Sequence, residues 1–308
     1  MPGKIPLMAP RKFSLVQVDV FTDRALTGNA LSVVLDGRGL STEQMQAFAR
    51  ETNLSETTFI LPGDAAKEKE RGVRVRIFTV QEELPFAGHP TLGTAFVLRG
   101  ETRAPEVLLD LNIGTVPVRF EDQPGEPSFG EMTQKNPEFG TVHEPAAVAA
   151  LTNLDVSDFE TSTPIQTVST GVPFTIVPIR SLAALQKLRL DVPRASEYLA
   201  HQDAKFFYCV SRETVDPEAR LHARMLFYNN EDPATGSAAG CCAAWMVAHQ
   251  VAASDERVLI EQGIEIQRPS RLFVRATRDK NSRDNQVINV RVGGNCVEVL
   301  RAQVSLDL

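Results

Sequence analysis

Two stretches about half a chain apart share a pattern of small and hydroxyl-bearing residues, Pro90-Thr91-Leu92-Gly93-Thr94-Ala95 and Pro233-Ala234-Thr235-Gly236-Ser237-Ala238. Each follows polar residues able to do chemistry, Gly88-His89 in the first and Glu231-Asp232 in the second, and each runs into an apolar segment of helical length. Both stretches therefore read as loops opening into buried helices. A helix N-terminus leaves backbone N–H groups unpaired and carries the positive end of the dipole, which makes it a natural carboxylate or phosphate site. Two such openings in a pseudo-repeated chain predict two half-domains facing one small anionic ligand. The same residues also have structural uses. His89 can cap its helix or bond a backbone carbonyl, Asp232 before Pro233 is a common capping arrangement, and Ser237 in a first turn can satisfy a local N–H. For Asp232 and Ser237, capping and ligand binding are compatible.

The flanking segments must hold these openings in place. Residues 238–247 are apolar all round, so a helix there must be surrounded by protein. Its Ala, Gly and Cys residues let strands approach closely, and the simplest packing is a sheet curled around a central helix. Residues 91–98 are expected to play the same part in the first half. In residues 14–21, Val16, Val18 and Val20 alternate with Gln17 and Asp19, and a second strand at 31–35 follows the Gly28-Asn29 turn. Ser41 and Gln44 form a capping-box pattern opening a helix that ends near Thr52, with Met45, Phe48 and Ala49 on one face. Further strands are expected at 57–61 and 73–80, and a hairpin at 107–111 and 116–120 around Asn112-Ile113-Gly114.

Glu121-Asp122-Gln123-Pro124-Gly125-Glu126-Pro127 is the best linker, which predicts domains at 1–123 and 124–308, with residues 1–12 as a frayed tail and the last strand free to return to the first domain. The second half carries a helix at 144–151 and strands near 174–179, 206–210, 225–227, 259–260, 272–276, 287–292 and 297–304. Strands outnumber helices and many connections are too short for regular βαβ crossovers, so the expected class is α+β rather than a doubly wound sheet.

Composition removes several function classes. The 308 residues carry 32 Lys and Arg against 39 Asp and Glu, a net charge of −7 with no basic cluster, so nucleic acid is not an expected partner. The longest apolar run, 238–248, is too short to span a bilayer, and the N-terminal segment is broken by Pro6 and Pro10, so no membrane association is expected. Four cysteines, two of them adjacent at 241 and 242, do not make a disulfide framework; they are expected to pack in the core of a cytoplasmic protein. The five histidines show no metal-ligand spacing, so no metal is expected, and nucleotide-binding glycine motifs are absent.

Four motifs in order carry a family resemblance: Asn53-Leu54-Ser55-Glu56-Thr57-Thr58-Phe59, Leu84-Pro85-Phe86-Ala87-Gly88-His89-Pro90-Thr91-Leu92-Gly93, Glu231-Asp232-Pro233-Ala234-Thr235-Gly236-Ser237-Ala238, and Gln262-Gly263 with Arg268-Pro269-Ser270. The series resembles that of the phenazine-biosynthesis (PhzF-like) isomerases and covers the chain from about Phe13 to its end. The resemblance implies a diaminopimelate epimerase-like fold of two related domains, each a sheet around a central helix, with the active site between them and usually a homodimer. It implies proton transfer without a cofactor: Glu56 matches the glutamate that moves a proton from one substrate carbon to another. His89, Asp232 and Ser237 match residues that bind and orient the substrate, and Gly88 and Gly236 lie at the openings expected to hold its carboxylate.

The chemistry is physically reasonable, because enclosing a carboxyl raises its pKa towards neutrality and lets it act as base and then as acid. One carboxylate cannot deprotonate an unactivated C–H, so the substrate must be conjugated or carbonyl-activated. The cysteine pair of the epimerases is not evident, since Cys241 and Cys242 lie inside the helix and no cysteine lies near Gly88-His89. Two segments depart from the family pattern, Phe227-Tyr228-Asn229-Asn230, which is expected to line the cleft, and Thr79-Val80-Gln81-Glu82-Glu83, where a proline-containing turn is altered. Two rival expectations are a metabolite-binding or scaffold protein that kept the fold without the reaction, and an amino-acid racemase or epimerase using Glu56 with another base.

Overall fold

The computed structural model describes residues 11–125, 127–227, 230–282 and 286–306. Its dominant feature is a mixed sheet of sixteen strands, bent into two halves, each curled around one buried helix. In the first half, the strands Arg11–Val20, Asn29–Val34, Glu56–Leu61, Val73–Phe78, Glu106–Leu111, Gly114–Glu121 and Phe129–Thr133 follow one another around the helix Gly88–Arg99. In the second half, Ser270–Arg278, Val258–Gln262, Ala219–Arg224, Phe206–Ser211, Pro173–Ile179, Ile165–Ser169 and Glu138–His143 continue the sheet, and the helix Gly236–Ala248 packs against it. The expected α+β architecture of two pseudo-repeated units around central helices is what the chain adopts.

One strand joins the halves. Val287–Leu306 runs for 20 residues, pairing its beginning with Ser270–Arg278 and Phe129–Thr133 and its end with Arg11–Val20, from Val20↔Cys296 to Arg11↔Leu306. Two separate strands were expected at 287–292 and 297–304. The Gly293-Gly294-Asn295 segment between them does not turn but lets the strand cross from one half to the other, with a Cβ on Gly294 falling 2.6 Å from the ring of Phe21. The tail is likewise shorter than expected: Arg11 and Lys12 open the first strand opposite Leu306 and Ser305, while residues 1–10 lie outside the described residues.

Both central helices are enclosed, which is why their sequences show no polar stripe. Every residue from Gly236 to Val247 is buried, and Gly240 accommodates the side chain of Gln134, which lies where a Cβ would fall. Gly93 of the first helix likewise leaves room for Leu31 and Val20 from two neighbouring strands. The four cysteines are buried, and burial pushes the thiols up, Cys209 to about 12 and Cys241 to about 11, so they pack as small apolar residues.

The capped helix Thr42–Thr52 forms as expected, with Ser41 and Gln44 making both capping-box bonds and Asn53 in the left-handed region at φ 51°. The strand expected at 225–227 forms over Leu226–Phe227, outside the large sheet. Ala219–Arg224, just before it, pairs within the large sheet, and Leu226–Phe227 forms a short ribbon with Asn230–Glu231. Three helices, Pro145–Thr152, Leu182–Lys187 and Val192–Ala200, cover the outer face of Pro173–Ile179 and Phe206–Ser211 with Val148, Leu185 and Leu199. Those two strands pair in parallel and are covered on both faces, which explains their continuous apolar runs. Among the described residues no helix is long and apolar enough to cross a membrane.

Candidate active site

The N-termini of the two central helices meet head to head. A Cβ on Gly88 would fall 2.6 Å from the carbonyl carbon of Gly236 and 2.6 Å from the backbone nitrogen of Ser237. Glycine is required there because two backbones, not two side chains, come together. Both positive helix ends and their unpaired N–H groups therefore converge on one place, as the paired motifs predicted.

Glu56 starts the strand Glu56–Leu61, which runs parallel to Asn29–Val34 with Leu31 opposite Glu56. Its carboxyl lies 3.2 Å from Nδ1 of His89, the second residue of the helix Gly88–Arg99. The approach is too poorly aligned for a hydrogen bond, and Glu56 Oε2 and His89 Nε2 are both buried without a partner among the described residues. Burial first, and the nearby charge of Asp232 second, hold the Glu56 carboxyl well above the usual carboxylate range. Burial holds His89 at about 3, outweighing the opposing effect of the Ala30 backbone, so its imidazole is neutral at ordinary pH.

Asp232 is placed by the short ribbon, its N–H bonding Met225 O at 2.8 Å. Its carboxylate is well supplied with donors: Asn29 Nδ2 at 2.8 Å and Ser55 Oγ at 2.9 Å on one oxygen, and Thr235 Oγ1 at 2.6 Å on the other. Burial raises its pKa to about 6 in spite of those donors. Asp232 therefore does not cap the second helix; Thr235 is the N-cap residue and makes no side-chain capping bond. Ser237 is buried in the first turn, and its hydroxyl makes no hydrogen bond among the described residues. The structure thus brings Glu56, His89 and Asp232 together, and sets Gly88, Gly236 and Ser237 at the touching helix ends.

Four residues with no role assigned from sequence complete the arrangement. Asn29, expected only as part of a turn, reaches across the halves from its amide nitrogen to Asp232, to Ala234 O at 2.9 Å and to within 3.3 Å of His89 Nδ1. Ser55 and Thr235 lie inside the quoted motifs as donors to Asp232. Gln262 is fully buried and braces the second opening, donating to Asp232 O at 2.8 Å and Thr235 Oγ1 at 3.0 Å while accepting from Thr235 N at 3.2 Å and Tyr208 OH at 3.0 Å. The available signal was its place at the end of the strand Val258–Gln262, beside Gly263 in the fourth motif, since a buried amide must find partners. Glu231 is taken up structurally, its two oxygens bound by Arg224 at 2.9 and 2.7 Å.

Beside these residues lies a cleft of about 550 Å³ whose walls include Leu54, Val80, Pro233 and Arg268 together with Asn29 and Ser55, the two that also bond Asp232. The altered turn at residues 79–83 is held by Thr79 Oγ1, which accepts from the backbone of Gln81 and Glu82, and it contributes Thr79 and Val80 to the cleft wall. Of the other departing segment, Tyr228 and Asn229 lie outside the described residues.

Fold and site together define a two-lobed α+β enzyme with buried acidic groups and two helix ends brought together where its halves meet. A sequence profile for phenazine biosynthesis-like proteins matches residues 18–302. The chain belongs to this phenazine biosynthesis-like family, and it is an isomerase. It is 40% identical over 300 residues to an uncharacterized isomerase of Mesorhizobium japonicum, covering 91% of this chain and 95% of that one. It is 36% identical over 285 residues to the trans-2,3-dihydro-3-hydroxyanthranilate isomerase of Pseudomonas aeruginosa, with the same coverage of 91% and 95%. Among solved structures, a PhzF-family phenazine biosynthesis protein of Bacillus anthracis superposes with a TM-score of 0.82 at 25% identity, over 96% of this chain and 99% of that one. The fold extends to a hydroxyproline epimerase of Agrobacterium vitis, with a TM-score of 0.68 at 12% identity over 98% and 95% of the two chains.

Proposed function

We propose that the protein is a cofactor-independent isomerase that moves a proton between two carbons of a small, conjugated carboxylate, with Glu56 as the general acid and base. The observation that carries this reading is Glu56 itself: a buried carboxyl with raised proton affinity and an oxygen lacking a hydrogen-bond partner among the described residues, next in the chain to Ser55 of the cleft wall. A group held this way can take a proton from an acidified C–H through Oε2 and return it to a second carbon of the same molecule, ending in its starting state. The electron pair left on the substrate spreads through its conjugated system towards the carboxylate. The abutting openings at Gly88 and Gly236, with the Ser237 hydroxyl, supply donors for that charge. His89, neutral and beside Glu56, and Asp232, pinned by three donors, orient the reacting groups. A homodimer is the expected assembly.

The substrate of the Pseudomonas aeruginosa relative makes trans-2,3-dihydro-3-hydroxyanthranilate the first compound to test. Proton NMR in D₂O would follow it, with a panel of other small carboxylates, in the presence of wild type and Glu56→Gln. Isomerisation by wild type alone is the expected result. Ligand binding without turnover by either protein would overturn the reading in favour of a binding protein that kept the fold, and exchange confined to an amino-acid α-carbon would overturn it in favour of a racemase.

A further inference from the structure

Arg268, in the fourth sequence motif, has no part in the proton transfer described above. It follows a tight turn made possible by Gly263, at φ +79°, where a Cβ would collide with Arg268 O at 2.4 Å and Pro233 O at 2.5 Å. That close approach fixes Arg268 beside the loop carrying Asp232. Its side chain then crosses to the other half of the molecule. Nε donates to Gly28 O at 2.8 Å, and Nη2 donates to Thr27 O at 2.8 Å and to Asp19 Oδ1 at 2.7 Å. Asp19 is buried, and its second oxygen accepts from Leu26 N at 2.6 Å.

Three of the five guanidinium N–H groups are thereby spent, and the Nη1 pair makes no hydrogen bond among the described residues. The side chain is 25% exposed and forms part of the cleft wall, where it is the single basic residue among the described lining groups. A guanidinium anchored on one edge and open on the other is oriented before anything binds, so little side-chain entropy remains to be lost. Because Asp19 balances its charge, it would select a partner by the direction of its N–H groups more than by net charge.

We infer that Arg268 is a specificity residue, and that its free Nη1 edge binds an oxygen of the substrate other than the carboxylate. This rests on the proposed substrate class, in which the carboxylate goes to the touching helix ends. Neither helix opening belongs to the wall that carries Arg268, so one carboxylate placed at Gly88 and Gly236 leaves Arg268 for a second acceptor. In a dihydro-hydroxyanthranilate that acceptor is the ring hydroxyl oxygen.

The test is calorimetric binding of two stable aromatic analogues, 3-hydroxyanthranilate and anthranilate, which differ only in that oxygen. Wild type, Arg268→Lys and Arg268→Gln would be compared, with thermal midpoints measured in parallel. Lysine keeps a cation beside Asp19 but lacks the second edge, so it separates a lost substrate contact from a lost bridge between the halves. Wild type is expected to prefer 3-hydroxyanthranilate by about tenfold, in line with one good hydrogen bond, and both variants to bind the two analogues alike. An intact preference in both variants, an equal loss of affinity for both analogues, or no preference in wild type would each overturn the inference. Wild type binding neither analogue would instead overturn the substrate reading, and this inference with it.

Discussion

The contact between the two helix ends makes a quantitative prediction for Gly88→Ala. The backbone at Gly88 is not in the left-handed region, so alanine is conformationally acceptable there and any effect must come from space. The added Cβ would lie 2.6 Å from Gly236 C and Ser237 N and 2.7 Å from Gly236 Cα, whereas ordinary contacts begin at 3.4 Å, a shortfall of about 0.8 Å. All three atoms are backbone in the first turn of an enclosed helix, so no rotamer change can absorb the difference and the two openings must separate. Overpacking of this kind costs about 1–3 kcal/mol, and displacing positioned groups by about 1 Å costs on the order of 10²-fold in rate.

The comparison variant is Gly236→Ala, whose Cβ would meet the tip of the Phe21 ring at 2.9 Å and Gly88 Cα at 3.2 Å, contacts that a ring displacement partly relieves. Urea unfolding and initial rates on trans-2,3-dihydro-3-hydroxyanthranilate would be measured for both. The expected order is Gly88→Ala well below Gly236→Ala in both stability and rate. A Gly88→Ala protein with wild-type stability, or a Gly236→Ala protein that is the more damaged, would refute the reasoning.

Glu56→Gln should lower turnover by at least about 10²–10⁴-fold, because the amide cannot carry the proton. Its effect on stability should depend on pH: the folded-state pKa of Glu56 is raised, so the stability linked to its proton is complete below the ordinary value of 4.5 and is lost as pH rises through the higher folded value. Glutamine stays neutral throughout, so the variant should melt above wild type at pH 8 and level with it near pH 4; a difference independent of pH would contradict the assigned direction. Gln262→Leu would strand Asp232 O, Thr235 N and the Tyr208 hydroxyl inside the protein. At about 1–3 kcal/mol for each unsatisfied group, the loss in urea unfolding should reach about 3 kcal/mol or more, and a change below about 1 kcal/mol would show that the amide is not the brace described.

Sequence patterns exposed the parts of this protein that depend on local chemistry. The all-apolar helix at Gly236–Ala248, the alternation in Arg11–Val20 and the capping box at Ser41 each follow from neighbours within a few turns or pleats. What escaped depended on distant partners. Val287–Leu306 looks like two strands because its glycines resemble a turn, and only pairing with both halves makes it one. Asn29 shows the same limit at the site: Gly28-Asn29 is an ordinary turn signal, and its bonds to Asp232 and Ala234 span 203 and 205 residues. The short amphipathic helix Val192–Ala200 covers the apolar outer face that two strands leave, and its own residues mark it, with Asp191 as cap, a proline in the first turn, and Ala195 and Leu199 buried.

The division of labour proposed for the two carboxyls follows from how differently the same cleft treats them. Both are buried, and burial opposes ionisation in each. Asp232 receives Asn29, Ser55 and Thr235, donors that favour its charged form and leave it near 6, whereas Glu56 receives none through Oε2 and also feels the charge of Asp232. When one member of such a pair ionises, it raises the proton affinity of the other, so the supply of donors decides which keeps the proton. Asp232 is thereby suited to remain a fixed anion that orients, and Glu56, with the higher proton affinity, to take up a proton and give it back. The donors to Asp232 come from both halves of the chain, so the acidity of Glu56 is set by how the halves meet. A variant that parts the helix ends should therefore shift the pH dependence of turnover as well as its rate.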